Sequence, residues 1–323
     1  MNCLVTGASG FIGSWLVRKL IHEGHRVRVL CRETSVFDLI SDLEFEKAFG
    51  DITSAKTILP ALKNIDTVFH LAGHIGYKKT DNELMEKVNV VGTQNIYTAS
   101  LENNVKNFIF LSSVTAVGAS QTPFQTLDEN SEYNLAGIGF GYADSKRRAE
   151  KIVLQGNSSM KCLALNPSTV YGPGDMLKSS RKNQLKALQG KLKFYPYGGV
   201  SVVGIHDVVD AIYKSVELGE HGERYILSGD NLFIKDLMDK ICFHGKSNPP
   251  KYQIPGALLD LMGFIGDHFT NGKPIDSSTA KVIQLFHWYK NEKAIQKLEF
   301  KPSPSDIVIK SSVEWAQKNL LKN

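Results

Sequence analysis

A chain of 323 residues that is 42% hydrophobic and 22% charged can fill a large core, which excludes wholesale disorder. Its 38 basic and 33 acidic residues leave a net charge of +5, with no long Lys/Arg block, so nucleic-acid binding is not expected. The four cysteines, Cys3, Cys31, Cys162 and Cys242, form no C-x-x-C pair; a metal site or disulfide framework is not expected, and a reducing cytoplasm is the simpler setting.

The run Met1–Thr6 has no basic n-region and no cleavage site, so it reads as a strand and not as a signal peptide. In chain order, Cys3–Thr6 predicts a buried strand, Phe11–His22 a helix with one apolar face, and Arg26–Cys31 a second strand. Further strands are expected at Glu44–Ala48, Thr67–Ala72 and Asn107–Ser112, with helical spacing over Asp81–Asn103. A charged amphipathic helix over Tyr142–Leu154 and a strand over Met160–Asn166 complete the regular half. Short apolar strands alternating with helices predict an α/β fold, a Rossmann-type doubly wound parallel sheet. After Pro167 the rhythm breaks at Gly172-Pro173-Gly174. The expected division is a dinucleotide-binding unit over 1–170, returning around 200–228, and a smaller substrate lobe from 171–199 and 229–323. No apolar stretch reaches the roughly 18 residues of a membrane span. Ile254–Phe269 comes nearest and, broken by Gly256, Asp260, Gly263, Gly266 and Asp267, reads as a packed helix, with membrane-surface contact the lesser alternative.

The first strand runs directly into Gly7-Ala8-Ser9-Gly10-Phe11-Ile12-Gly13 and then a helix. Gly7 permits the tight turn, Gly10 lets backbone approach a pyrophosphate, and Gly13 allows close helix–strand packing. The helix N-terminus presents N–H groups and a positive dipole end to phosphates. This context marks a dinucleotide site, with G-x-x-G-x-x-G spacing. At the end of the second strand stand Cys31, Arg32 and Glu33, with no Asp at the tip. Arg32 can pair with a 2′-phosphate, which favours NADP(H); if Glu33 takes the ribose instead, NAD is the cofactor.

Tyr142 and Lys146 lie at i and i+4 in Gly141-Tyr142-Ala143-Asp144-Ser145-Lys146, on one helical face. A free tyrosine has a pKa of about 10; a neighbouring ammonium and an oxidised nicotinamide ring would both lower it, making Tyr142 a proton acceptor or donor. Ser113, at the end of the strand Asn107–Ser112, is placed to hold a substrate oxygen against Tyr142.

Together these segments resemble an extended short-chain dehydrogenase/reductase of the epimerase/dehydratase superfamily, along nearly the whole chain. The matching pieces include T-G-A-S-G-F-I-G at Thr6–Gly13, G-D-I at Gly50–Ile52, V-F-H-L-A-G at Val68–Gly73 and V-N-V-V-G-T at Val88–Thr93. S-S-V-T-A-V-G at Ser112–Gly118, Y-A-D-S-K at Tyr142–Lys146, N-P-S-T-V-Y-G-P-G-D at Asn166–Asp175 and H-D-V-V-D-A at His206–Ala211 follow. The resemblance implies that Ser113, Tyr142 and Lys146 are catalytic and that Gly7, Ser9, Gly10, Phe11, Ile12, Gly13 and Arg32 bind cofactor. It adds Asp51 and Ile52 at the adenine, Leu71, Ala72 and Gly73 along the cleft, Lys146 at the nicotinamide ribose, and Pro167 and Ser168 beside the nicotinamide. His74, Tyr77, Thr115, Tyr171 and Gln184 fall where the family places substrate residues. Asn89 braces the loops or is a helix-interior amide; His70 reads as a core histidine and His206-Asp207 as a structural pair. Members often pair into homodimers.

Within the family, Ser113 precedes Val114-Thr115-Ala116-Val117 and lacks the acidic pair of the sugar dehydratases. Asn166 and Thr169 replace the Arg and Asn of many sugar-nucleotide enzymes. Arg32 and the segment Lys273–Ala294 resemble the dihydroflavonol-4-reductase-like branch, implying an NADP(H)-dependent reductase or alcohol dehydrogenase acting on a small molecule. The basic stretch Lys178, Arg181, Lys182, Lys186, Lys191 and Lys193 points the other way if it grips a diphosphate, as in an NAD-dependent nucleotide-sugar epimerase, and is otherwise a solvated face. A non-catalytic dinucleotide sensor is disfavoured because Tyr142 and Lys146 are both present.

Overall fold

Alternation along each strand decides the architecture. In β1 (Asn2–Thr6), Cys3 and Val5 enter one apolar cluster while Leu4 enters another. The same split recurs in β2 (Arg26–Cys31), β4 (Thr67–His70), β5 (Asn107–Leu111) and β6 (Lys161–Pro167), after the short β3 (Glu46–Phe49). Strands apolar on both faces need cover on both faces. Helices Phe11–His22 and Ile205–Leu218 supply one layer through Leu16, Val17, Leu20, Val208 and Ile212. Helices Gly92–Glu102 and Gly141–Leu154 supply the other through Ile96, Tyr97, Ala149 and Val153. This computed structural model describes residues 1–156, 159–177, 181–270 and 275–321.

Beyond β6 come β7 (Thr169–Tyr171), β8 (Phe194–Pro196), β9 (Gly199–Gly204), β10 (Arg224–Leu227), β11 (Asp230–Phe233), β12 (Tyr252–Ile254) and β13 (Phe286–His287). The large sheet has seven parallel strands in the order β10-β6-β5-β4-β1-β2-β3. Successive strands run outward from β1 to β3 and then from β4 to β10, so the order reverses between β1 and β4. A crevice opens at the carboxyl ends of the strands at such a switch point. The expected doubly wound parallel sheet is present. The return to it runs through helix Ile205–Leu218 and β10, whereas β9 pairs with β7, β11 and β13 in a smaller sheet.

Two local differences from the sequence reading bear on the site. β4 stops at His70 and not at Ala72, because the Ala72 N–H donates to the Thr6 hydroxyl (3.1 Å) and leaves the ladder. The helix expected over Asp81–Asn103 is a 3₁₀ turn (Lys79–Asp81), an α turn (Asn82–Met85), a π segment (Glu86–Val91) and an α-helix (Gly92–Glu102). A π turn re-aims a residue that regular winding would point elsewhere, and here that residue is Asn89. The helix expected over Ile254–Phe269 runs from Gly256 to Phe269; it packs Leu259, Gly263 and Gly266 inward but leaves Leu258, Leu261, Phe264, Ile265 and Phe269 exposed, so it is only partly the packed helix expected. Among the described residues no helix is long and apolar enough to cross a membrane, and the four cysteines are buried and unpaired.

Candidate active site

The glycine loop lies at the switch point between β1 and β4. Gly7 has φ +74°, and a Cβ there would meet the Ala72 backbone nitrogen at 2.7 Å, so the two strand ends nearly touch. A Cβ at Gly13 would lie 2.2 Å from the Gly7 carbonyl oxygen, which lets the helix start directly against the loop. Gly10 takes the helix N-cap position, where no side chain among the described residues caps it, and the first turn has no acidic residue. That end is therefore left to an anion. Ser9 and Gly10 are exposed.

Arg32 is exposed just past β2, its backbone N–H donating to Ser35 Oγ (3.1 Å). Asp51 Oδ1 accepts from the Thr53 N–H and hydroxyl, both at 2.8 Å. Burial disfavours the Asp51 carboxylate, but Thr53, with the charges of Arg32 and Lys87, outweighs it and holds the pKa below its ordinary value. Ile52 is buried and its carbonyl accepts from Asn95 Nδ2 (2.9 Å). Leu71 and Ala72 are half-buried along the crevice, and Gly73 follows. A Cβ at Gly73 would come within 3.4 Å of Asn89 Oδ1 and 3.6 Å of Lys146 Nζ. Pro167 ends β6, and the Ser168 hydroxyl oxygen is sealed from solvent with no hydrogen-bond partner among the described residues. An orphaned hydroxyl at this rim, with an uncapped helix end and glycines where side chains would intrude, fits a dinucleotide.

His70 is buried within a relay that assigns its tautomer. Thr93 Oγ1 donates to the Asn89 carbonyl (2.6 Å), so it accepts from His70 Nε2–H (2.9 Å). His70 Nδ1 then accepts from the Thr6 hydroxyl (2.7 Å), whose oxygen receives the Ala72 N–H. Burial, and after it the Lys146 charge, brings the His70 pKa to about 3. It is the core histidine that the strand pattern suggests. Asn89 does both things considered for it: Oδ1 accepts from the His74 N–H (2.7 Å), while Nδ2 donates to the His74 carbonyl (2.9 Å) and Ser145 Oγ (3.0 Å).

Ser113 caps the 3₁₀ turn Val114–Ala116 at the end of β5. Its oxygen accepts from the Thr115 N–H (3.2 Å) and hydroxyl (3.0 Å), and the serine stands close enough to Tyr142 to favour its phenolate. Thr115, read as a pocket residue, thus orients the serine. Tyr142 begins the helix Gly141–Leu154, beside Phe140 (ring centroids 6.1 Å), which in turn approaches Tyr77 (6.2 Å). Burial raises the phenol pKa well above its ordinary 10, Tyr77 adds to this, and the Ser113 hydrogen bond opposes it. The expected lowering by Lys146 is not the controlling influence here. The Lys146 ammonium is occupied by the Leu111 carbonyl (2.7 Å) and lies 4.6 Å from the Phe110 ring centroid. Burial lowers the Lys146 pKa to about 8 against the pull of Glu150.

Tyr171 and Gln184 do not join this group. Tyr171 is fully buried in the C-terminal lobe, with Arg181 4.0 Å above its ring, and Gln184 packs beside it. Their place next to a family motif suggested a pocket, but β7 turns Tyr171 into the lobe core. Arg181, counted in the basic stretch, donates to the Val170 carbonyl (2.7 Å) and faces Asp175 (3.5 Å), so it is a core ion and not a diphosphate grip. Lys182, Lys186, Lys191 and Lys193 are exposed; Lys178, like Lys273 of the segment Lys273–Ala294, lies outside the described residues. Asp207 accepts from the Ser303 N–H (2.7 Å) and hydroxyl (2.8 Å), a structural clamp as expected. The sequence reading missed Glu150, which is completely buried four residues after Lys146; only the i,i+4 spacing signalled it.

A model of the 3-beta hydroxysteroid dehydrogenase/isomerase family matches residues 4–241. Sterol demethylase protein B of Methylococcus capsulatus is 27% identical over 272 residues, 83% of this chain and 81% of that protein. A putative dihydroflavonol 4-reductase of Synechocystis is 25% identical over 328 residues, covering 98% and 94%. The crystal structure of gox2253 superimposes with a TM-score of 0.88 at 30% identity, covering 100% of this chain and 99% of that one.

Proposed function

The chain belongs to the 3-beta hydroxysteroid dehydrogenase/isomerase family, within the extended short-chain dehydrogenases/reductases, and we propose that it is an NADP(H)-dependent oxidoreductase that interconverts a carbonyl and a secondary alcohol. Members of this group are NAD(P)-dependent enzymes, and the finer reading concerns coenzyme, substrate and residues. The observation that carries it is Ser113, held by the Thr115 hydroxyl and placed beside Tyr142, with Lys146 one helical turn further on. When bound, the nicotinamide supplies or accepts the hydride. Gly7, Gly10 and the helix start would hold the pyrophosphate, Leu71–Gly73 and Ser168 the crevice walls, and Arg32 a 2′-phosphate.

The Tyr142 phenol can give its proton to a carbonyl oxygen and, in the opposite direction, take one from an alcohol. Ser113 donates to the same oxygen and fixes its position. Lys146 places positive charge behind the phenol and favours the phenolate once the proton has left. Apart from Ser113 and Tyr77, the surroundings of Tyr142 include Phe140, Leu285 and Ile138 of the same apolar cluster. That lining supports an apolar carbonyl or alcohol, as do the sterol and flavonol names of the two relatives. Asn166, where many sugar-nucleotide enzymes carry Arg, is fully buried and donates to the Ser113 carbonyl (2.9 Å) and Glu150 (2.6 Å), so its amide is taken up within the protein.

NADPH oxidation over a panel of steroid, flavonoid and simple ketones tests the reaction. Tyr142→Phe is expected to abolish turnover while NADPH binding persists; undiminished turnover would refute the mechanism. Arg32→Ala is expected to weaken NADPH more than NADH, and a wild type that prefers NADH would reject the arginine argument.

A further inference from the structure

Glu150 is a carboxylate with no exposed surface, and such a group is retained only with partners that replace its hydration. Its partners come from two strands and from the residue that follows a third. The Ser112 hydroxyl at the end of β5 donates to Oε2 (2.5 Å), Asn166 Nδ2 on β6 donates to the same oxygen (2.6 Å), and Arg224 Nη2 on β10 pairs with Oε1 (2.9 Å). Arg147, on its own helix, stands 3.7 Å from Oε1. Asn166 Nδ2 also donates to the Ser113 carbonyl (2.9 Å). Two of these contacts thus grip the chain on either side of the Ser113 α-carbon, through the preceding side chain and the following carbonyl.

Resting on the reading of Ser113 and Lys146 given above, we propose that Glu150 is a positioning residue for hydride transfer: from below the strand ends it fixes the Ser112–Ser113 turn, and it sets a negative charge one helical turn beyond the Lys146 ammonium. The other groups around that ammonium cannot do this. Tyr142 lies one turn back and is protonated, His70 on β4 is neutral, and the Phe110 ring and Leu111 carbonyl of β5 carry no net charge. Arg147 and Arg224 flank the carboxylate and carry positive charge, so Glu150 alone of these groups favours the charged lysine. A buried ion pair serving only to join the helix to β10 would not need the second contact through Asn166 to Ser113.

The test reads Lys146 directly, by NMR of protein labelled with ¹³C-lysine, its signal identified by its loss in Lys146→Met. Removing the opposite charge is expected to lower the Lys146 midpoint by about one pH unit in Glu150→Gln. Glu150→Asp, which keeps the charge on a shorter arm, is expected to keep the midpoint close to wild type while kcat falls about tenfold at an unchanged KM. A midpoint in Glu150→Gln within about 0.2 of wild type would overturn the electrostatic part, and full kcat in Glu150→Asp would overturn the positioning part. Glu150→Gln leaves Arg224 without its partner and can fail to fold. The proposal is then decided on Glu150→Asp, which keeps Arg224 paired: kcat must fall at an unchanged KM. The two readings fail separately. Undiminished turnover in Tyr142→Phe sinks the catalytic assignment whatever Lys146 does; an unmoved Lys146 midpoint sinks this proposal even when Tyr142→Phe is inactive.

Discussion

Replacing Lys146 with methionine is expected to stabilise the protein at pH 7 while removing turnover. Lys146 is 5% exposed, and burial brings its pKa from 10.5 to about 8, with Glu150 opposing. Below pH 8 both native and unfolded chains carry the proton, and the native state bears the whole penalty of a buried charge. Between pH 8 and 10.5 the native chain releases the proton and the unfolded chain keeps it, so stability rises with pH through that window. The gap corresponds to roughly 3 kcal/mol, at about 1.4 kcal/mol per pH unit. Methionine keeps an apolar stem against the Phe110 ring but has neither charge nor donor. The Leu111 carbonyl loses its 2.7 Å hydrogen bond, which costs about 1 kcal/mol. The balance at pH 7 is a gain of about 2 kcal/mol, turning into a loss of about 1 kcal/mol once pH exceeds 10.5. Guanidinium unfolding of both proteins at pH 7, 8, 9 and 10 measures this. A variant less stable than wild type at pH 7, or one with the same rise in stability between pH 8 and 10, would refute the account of a penalised buried ammonium.

Other substitutions separate local effects. Thr115→Val removes the hydroxyl that donates to Ser113 Oγ (3.0 Å) but keeps the side-chain shape; kcat is expected to fall about tenfold with NADPH affinity unchanged, as steady-state kinetics and fluorescence titration would show. Gly13→Ala places a Cβ 2.2 Å from the Gly7 carbonyl oxygen, a clash with backbone that only a shift of loop or helix relieves. NADPH affinity is expected to fall more than about tenfold, and unaltered binding would contradict the role given to the loop. Asp276 caps the helix Ser277–Val282 by accepting from the Thr279 N–H (2.7 Å), so Asp276→Ala is expected to lower stability by about 1 kcal/mol in a denaturation curve.

What the sequence made legible follows from the kind of constraint each residue is under. The glycine loop could be read because its requirement is steric and local: Gly7 and Gly13 stand where a Cβ would strike backbone at 2.7 and 2.2 Å. The parallel sheet could be read because strands covered on both faces must be apolar throughout. Spacing also put Tyr142 and Lys146 on one face, but spacing records who are neighbours and not how deep they lie. Lys146 and Glu150 have the same i,i+4 relation as an exposed helix pair, worth a few tenths of a kcal/mol in solvent. Here the helix turns that face beneath the ends of β5 and β6, and the same four-residue interval becomes a buried charge and its counter-charge. Arg181 makes the opposite point, since a letter counted among solvated lysines lies over the Tyr171 ring inside the lobe. Asn89 is a third case: a helical pattern fixes its neighbours at regular winding, whereas its two-sided grip on the His74 peptide depends on a π segment that no periodicity announces. In each case the deciding quantity is the set of strands and loops packed against the residue. That set is a property of the sheet order β10-β6-β5-β4-β1-β2-β3, in which β10 brings Arg224 to Glu150 across 74 residues of chain.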